Sequence, residues 1–499
     1  MIVMKRKRIA CLLMALIIAA STMVLPASAA TYSAMIVQGN TPDVGDCKVV
    51  FEELKNVPNG NAYSISNRGW HYNNGNPYDN YDNWKLGYSS DPEYALASAQ
   101  NLIDAGTHDV LYWSGHGGRN PSRLNVHPSS NDYGPGSSQQ PTIYIADTLQ
   151  VDGSDWATSS LWNKNSNLKV AIFSACQVLD NTYNDCKYLV RAMKASNLKV
   201  IAGYHLTSPT NPTDTQIAEN FFYNTENGGV TGGESIRSSW QTANELVGAG
   251  SRWAVLCYKD AGNQYYRIPG FPGNSYAEPA ADATVYRFWS QYTSSTGGQA
   301  MPASEDGALP LEITVANNNA RSINESGLTV YRDMYDDNTS DLDEGAQRNV
   351  ADEYIPEEYK NGIEFVGTVS CEAMDPDDGA VPGTDVVIGK TFCYSNHYNG
   401  IRLENNFYKV ATDANGVYFT IDKWNNIVAS SEETTANTEI MSANAAVAQV
   451  DIDSATTSEL LYVPVSETTY RLCYAVSPED APAYYIDCVT GEEVEIFLA

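Results

Sequence analysis

Asp109-Val-Leu-Tyr-Trp-Ser-Gly-His-Gly-Gly118 and Leu168-Lys-Val-Ala-Ile-Phe-Ser-Ala-Cys-Gln177 are the two stretches whose reading decides the fold. Each is an apolar, strand-forming run that stops at one reactive side chain, His116 in the first and Cys176 in the second. Unbroken apolar runs suit a parallel sheet covered on both faces, and open α/β sheets bind ligands at the carboxyl ends of their strands. Two such strands side by side deliver an imidazole and a thiol to one edge, a nucleophile beside its proton acceptor.

The residues around these runs alternate in type as an α/β unit does. Ser33 to Val37 reads as a short strand, Asp46 to Leu54 as a helix, and Asn56 to Gly87 as a long polar loop rich in aromatics. Asp91-Pro92 opens a helix that continues through Ala95 to Ile103, with proline in its first turn. Gly117 to Gln140 is too polar to pack and reads as a binding loop. After Cys176 come a helix from Asp180 to Ala195, a strand from Leu198 to Gly203, helices around Thr213 to Tyr223 and Glu234 to Val247, and a strand from Arg252 to Tyr258. That order predicts a doubly wound, mostly parallel sheet flanked by helices.

Trp113-Ser-Gly-His-Gly117 and Ser174-Ala-Cys176 resemble the paired motifs of the caspase-like cysteine peptidases, the clan of clostripain, gingipains, legumain and caspases. In that clan a hydrophobic strand ends in His-Gly and a second ends in a small residue followed by Cys. The resemblance covers roughly Tyr32 to Tyr266 in element order, and the two blocks in letters. It implies a caspase-like fold, a Cys176/His116 dyad, and an oxyanion held by the backbone N–H groups of Gly117 and Cys176. It also implies a protein or peptide substrate and no cofactor for the dyad, although some members of the clan need calcium.

Taken singly, Cys176 reads as a small buried core residue and His116 as a turn residue; it is the pair, each at the end of an apolar strand, that points to a site. His71, His108, His127 and His205 stand as substitutes for the base, and His205, just after a strand, also reads as structural. Clan members favour a charged or polar residue before the cleaved bond, and one relative carries an acid two positions before its cysteine, where this chain has Ser174. Asp152, Asp155 and Asp180 are left as acids for such a pocket or as surface charge.

The amino terminus carries Lys5-Arg-Lys-Arg8, an apolar run from Ile9 to Ala20 and Ala27-Ser-Ala29, the layout of an export signal over residues 1–29. The expected mature protein is secreted and soluble, with no membrane span. Without that segment 26 Lys and Arg face 60 Asp and Glu, a net charge near −34. Such a field repels nucleic acid and anionic membranes, so neither is an expected partner. Fifteen acidic residues crowd Asp333 to Asp378, which reads as solvated surface; Asp336 to Glu344 spaces its oxygens as a calcium loop might but lacks the glycine at its sixth place. Eight cysteines remain, with Cys371 and Cys393, or Cys473 and Cys488, as candidate bridges. No zinc pattern occurs.

A small, polar linker is expected at 293–310, separating a catalytic unit over 30–292 from a β-rich, α+β unit over 311–499. Hairpins are expected around Asn399-Gly400 and Asp413 to Gly416, then a helix from Ser442 to Gln449 and strands at Leu460, Tyr470 and Ala483. The closing Tyr484-Tyr-Ile-Asp-Cys-Val-Thr-Gly-Glu492 resembles a PepSY repeat, and the hairpins before it resemble its partner in metallopeptidase propeptides. That resemblance implies regulation through contact between the two units. The rival reading is a binding protein without turnover, holding glycan or protein on aromatic loops such as Trp70 to Tyr72 and Tyr78 to Trp84.

Overall fold

The computed structural model describes residues 31–39, 45–57, 62–68, 97–119, 122–125, 142–149, 161–180, 185–210, 212–227, 233–247, 252–258, 266–272, 283–294, 309–316, 322–323, 343–374, 386–413, 416–430, 440–450, 456–478 and 483–496. The fold is mixed α/β. Five strands run parallel: β1 (Thr31–Gln38), β2 (Ala62–Arg68), β3 (Val110–Ser114), β4 (Val170–Ser174) and β5 (Val200–Tyr204), in the spatial order β2-β1-β3-β4-β5. All five residues of β3, β4 and β5 are buried, as their apolar runs require.

Alternate side chains feed two cores. On one face Ile36, Tyr112, Ile172 and Ala202 meet α1 (Gly45–Lys55), α4 (Thr213–Asn227) and α5 (Ile236–Leu246). On the other Val37, Trp113, Phe173 and Ile201 meet α2 (Ala99–Asp104) and α3 (Asp185–Ala195). This is the expected sheet between two helical layers.

The parallel order stops at β5. Two successive helices, α4 and α5, return the chain so that β6 (Trp253–Tyr258) enters antiparallel, against the expectation of a mostly parallel sheet throughout. From there β7 (Val285–Ser294), β8 (Ile363–Met374), β9 (Val386–Tyr398), β10 (Ile401–Asp413) and β11 (Gly416–Lys423) each pair antiparallel with the one before. The sheet therefore runs unbroken across the expected boundary, with Arg287 to Ser294 facing Met374 to Gly367. Thr293 and Ser294 belong to β7, while residues 295–308 of the expected linker lie outside the described residues. Near the carboxyl terminus β12 (Thr456–Pro464), β13 (Thr469–Pro478) and β14 (Tyr484–Asp487) form an antiparallel group over their own core, with Ser442 capping the helix Ala443–Val447.

All eleven residues of α5 are buried, polar ones included. Its apolar Ile236, Trp240 and Ala243 join the first core. On its other side the Thr391 hydroxyl donates to Glu245 at 2.9 Å, Gln241 donates to the Tyr418 hydroxyl at 3.2 Å, and the Lys409 ammonium donates to the Glu245 carbonyl. Burial raises the Glu245 carboxyl above its ordinary value and lowers the Lys409 ammonium below its own. Removing one member of such a set leaves the other buried without its partner. Glu245→Ala removes the carboxylate that Thr391 and Gln241 donate to and keeps the carbonyl that receives Lys409, so it is expected to cost about 1–3 kcal/mol in urea-induced unfolding.

Candidate active site

β3 and β4 align residue for residue, so that Ser114 lies opposite Ser174 at the same strand end. His116 and Cys176 each follow two positions later. Gly115 makes the turn at φ 142°, a conformation open to glycine, and its N–H donates to the Ser174 carbonyl at 3.1 Å. The His116 carbonyl then accepts from the Asn125 N–H at 3.0 Å, and Gly117–Gly118 pairs with Arg123–Asn125, which pairs with Thr142–Tyr144. The expected binding loop thus begins as a small three-stranded sheet; residues 126–140 lie outside the described residues.

The two motifs touch through their backbones. A Cβ on Gly117 would sit 2.5 Å from the Cys176 carbonyl oxygen and 3.0 Å from the Ala175 side chain, so glycine is what permits this approach. The chain after Cys176 turns through Gln177 at φ 60° and is tied down by Gln177 N–H to Leu206 carbonyl and Leu179 N–H to Tyr204 carbonyl bonds of 2.8 and 3.0 Å.

The Cys176 sulfur is half-buried and accepts from the Ser208 N–H at 3.2 Å. Burial raises its pKa above the ordinary thiol value, and the Ser208 and Cys176 amides offset part of that rise. A thiol raised in this way needs a base to take its proton before it acts as a nucleophile. The His116 residue is exposed at the rim, where it can meet an incoming substrate.

Asp180 is no surface acid. It is buried and accepts from Arg119 at 2.8 Å, so its charge is already matched. Asp152, Asp155, His71, His127 and the aromatic segments 70–72 and 78–84 lie outside the described residues. His205 is structural: its Nε2 lies 2.8 Å from the Ser290 carbonyl, and burial with the nearby Arg287 holds its pKa down at about 3. The His108 ring contacts Thr107, the Asp104 carbonyl and Ser66, on the far side of β3 from the site. Ser174 contacts the Tyr112 hydroxyl, which donates to the fully buried Asp46 at 2.8 Å, a carboxylate beneath the sheet edge that the sequence did not single out.

The eight cysteines among the described residues are all free, so neither candidate bridge forms. Among the described residues no group of three or more His, Cys, Asp and Glu is arranged to hold a metal, and no helix is long and apolar enough to cross a membrane. Of the suspected calcium loop, residues 336–342 lie outside the described residues; Asp343 caps the helix Glu344–Glu353, and Glu344 pairs with Lys390. Comparison of the chain with protein-family models, curated proteins and solved structures finds no match.

Two outcomes follow from this geometry. Gly117→Ala drives a methyl into the Cys176 backbone and should destabilise the fold by about 1–3 kcal/mol in chemical unfolding, with a parallel loss of any cleavage. His205 stays neutral when folded but takes a proton when unfolded below its ordinary value of 6.5. The unfolded state then holds more protons, so stability should fall as pH drops from about 6.5 towards 3. In unfolding titrations across that window, His205→Gln, which keeps an N–H donor for Ser290, should flatten the slope.

Proposed function

We propose that the protein is an exported cysteine endopeptidase that hydrolyses peptide bonds with Cys176 as nucleophile and His116 as general base and acid. The observation that carries this reading is the level ending of β3 and β4, which sets the His116 turn against the Cys176 backbone.

In the proposed reaction His116 takes the Cys176 proton as sulfur attacks the scissile carbonyl carbon. The oxygen that gains charge is received by the Gly117 and Cys176 N–H groups, donors of a kind worth about 3–4 kcal/mol when aimed at developing charge. The imidazolium then protonates the departing amine as the C–N bond breaks, leaving a thioester on Cys176. Water attacks that thioester while His116 takes its proton, the acid departs, and the thiol is restored. No metal is needed for these steps. In this reading the carboxyl-terminal region, which resembles PepSY domains, acts on the site through α5, and residues 1–29 direct export. A second reading, a binding protein on a peptidase-like fold, draws its support from the partial burial that raises the Cys176 thiol above its ordinary pKa.

Selective labelling of Cys176 alone does not separate these readings, because the other seven cysteines are buried and shielded in any case. Cleavage of a mixed peptide library does. Cys176→Ala should abolish it, and His116→Ala should lower it by about 10²–10⁴-fold while slowing iodoacetamide alkylation of Cys176 at neutral pH. Cleavage by Cys176→Ala at the wild-type rate would overturn the dyad, and absence of cleavage by the wild-type chain would leave the binding reading standing.

A further inference from the structure

We infer that Arg119 and Asp180 form a positioning clamp that holds the His116 turn in register with the Cys176 loop. This inference rests on the peptidase reading above.

The two sides of the site are anchored unequally. The Cys176 loop is fixed from within the molecule: besides its bonds to Tyr204 and Leu206, the Leu179 carbonyl accepts from the buried Arg287 at 2.9 Å and from the Cys186 thiol at 3.3 Å. The His116 turn is held at its start by β3, and beyond that it pairs with its own small sheet, Arg123–Asn125 and Thr142–Tyr144. Its described side-chain ties across to the Cys176 loop are Arg119 to Asp180 at 2.8 Å and the Ser122 hydroxyl to the Val178 carbonyl at 2.8 Å. Arg119 lies three positions after His116 and Asp180 four after Cys176, so the ion pair closes a short ring containing both reactive groups.

Ordinary surface ion pairs are worth little, because water screens both partners. Here the Asp180 side chain is only 6% exposed, while that of Arg119 is 40% exposed. The carboxylate sits within the Cys176 loop and Arg119 reaches in from the exposed rim to meet it. That asymmetry makes the bond directional: losing it releases the His116 side and leaves the Cys176 side in place. Small displacements between reacting groups cost rate steeply, about 10²-fold for roughly 1 Å.

The test is steady-state cleavage of a peptide substrate by the full chain, with Arg119→Gln as the principal variant because its side chain is partly exposed and its loss leaves the core packed. Asp180→Asn and the exchanged pair R119D/D180R complete the series. The clamp predicts a 10- to 100-fold fall in kcat for Arg119→Gln with KM within twofold, measured below the unfolding transition of the variant, since loss of the ion pair at the buried Asp180 carboxylate also lowers the melting temperature. It also predicts partial recovery in Arg119→Lys, which keeps the charge but not the forked geometry. A kcat within twofold of wild type for Arg119→Gln overturns the clamp while leaving the dyad intact, and so does a fall in kcat that Arg119→Lys does not recover in part. Undiminished cleavage by Cys176→Ala overturns the peptidase reading itself and the clamp with it, so the two failures are told apart by one set of proteins.

Discussion

The structure depends first on the level pairing of β3 with β4, in which Val110 through Ser114 face Val170 through Ser174 without offset. Both strands are buried on both faces, so each side chain is committed to one core or the other, Tyr112 and Ile172 above, Trp113 and Phe173 below. A slip of one residue would send every apolar side chain to the opposite layer and move one strand end by about 3.3 Å. The hydrophobic pattern that stabilises the sheet is thus the same pattern that fixes where His116 and Cys176 emerge. The two strand ends inherit their alignment from the core, and at the rim Arg119 meets Asp180 and Ser122 meets the Val178 carbonyl.

A second constraint is the burial of α5. A helix carrying Arg237, Gln241, Asn244 and Glu245 is at home in water, yet here it is covered on one side by the parallel strands and on the other by β9, β10 and β11. Of those, Gln241 and Glu245 find partners in the carboxyl-terminal half, Tyr418 and Thr391 respectively. The antiparallel strands are therefore a wall of the same building as the Cys176 strand. A regulatory role for this half has a physical route, because α5 touches both the sheet that carries the site and the strands beyond it: Trp240 donates to the Gly203 carbonyl in β5 at 3.0 Å.

Much of this was legible in the sequence, for identifiable reasons. Continuous apolar runs ending at His116 and Cys176 gave the parallel strands and their shared edge, because few other arrangements bury such runs. Asn399-Gly400 marked a hairpin, and both residues take positive φ in it. A closing strand was expected near Ala483, and one runs over Tyr484–Asp487. What was hidden depended on tertiary context. Ala62–Arg68 read as loop because Ser64, Ser66 and Asn67 are polar, yet it forms an edge strand whose parallel pairing to β1 is backbone-driven. The antiparallel entry of β6 follows from two helices in succession, which local pattern does not reveal. Asp180 read as surface charge because its partner, Arg119, is 61 positions away.

The account stands or falls on the approach of the imidazole to the sulfur when a substrate is held. The most direct measurement is a crystal structure of the protein with a peptide whose electrophilic end is bonded to Cys176. The account predicts a His116 ring nitrogen within hydrogen-bond reach of the leaving or attacking atom, about 2.6–3.2 Å, with the oxyanion turned towards the Gly117 N–H. A bound peptide with the imidazole turned away into solvent, or a sulfur that does not react with such a peptide at all, would contradict it.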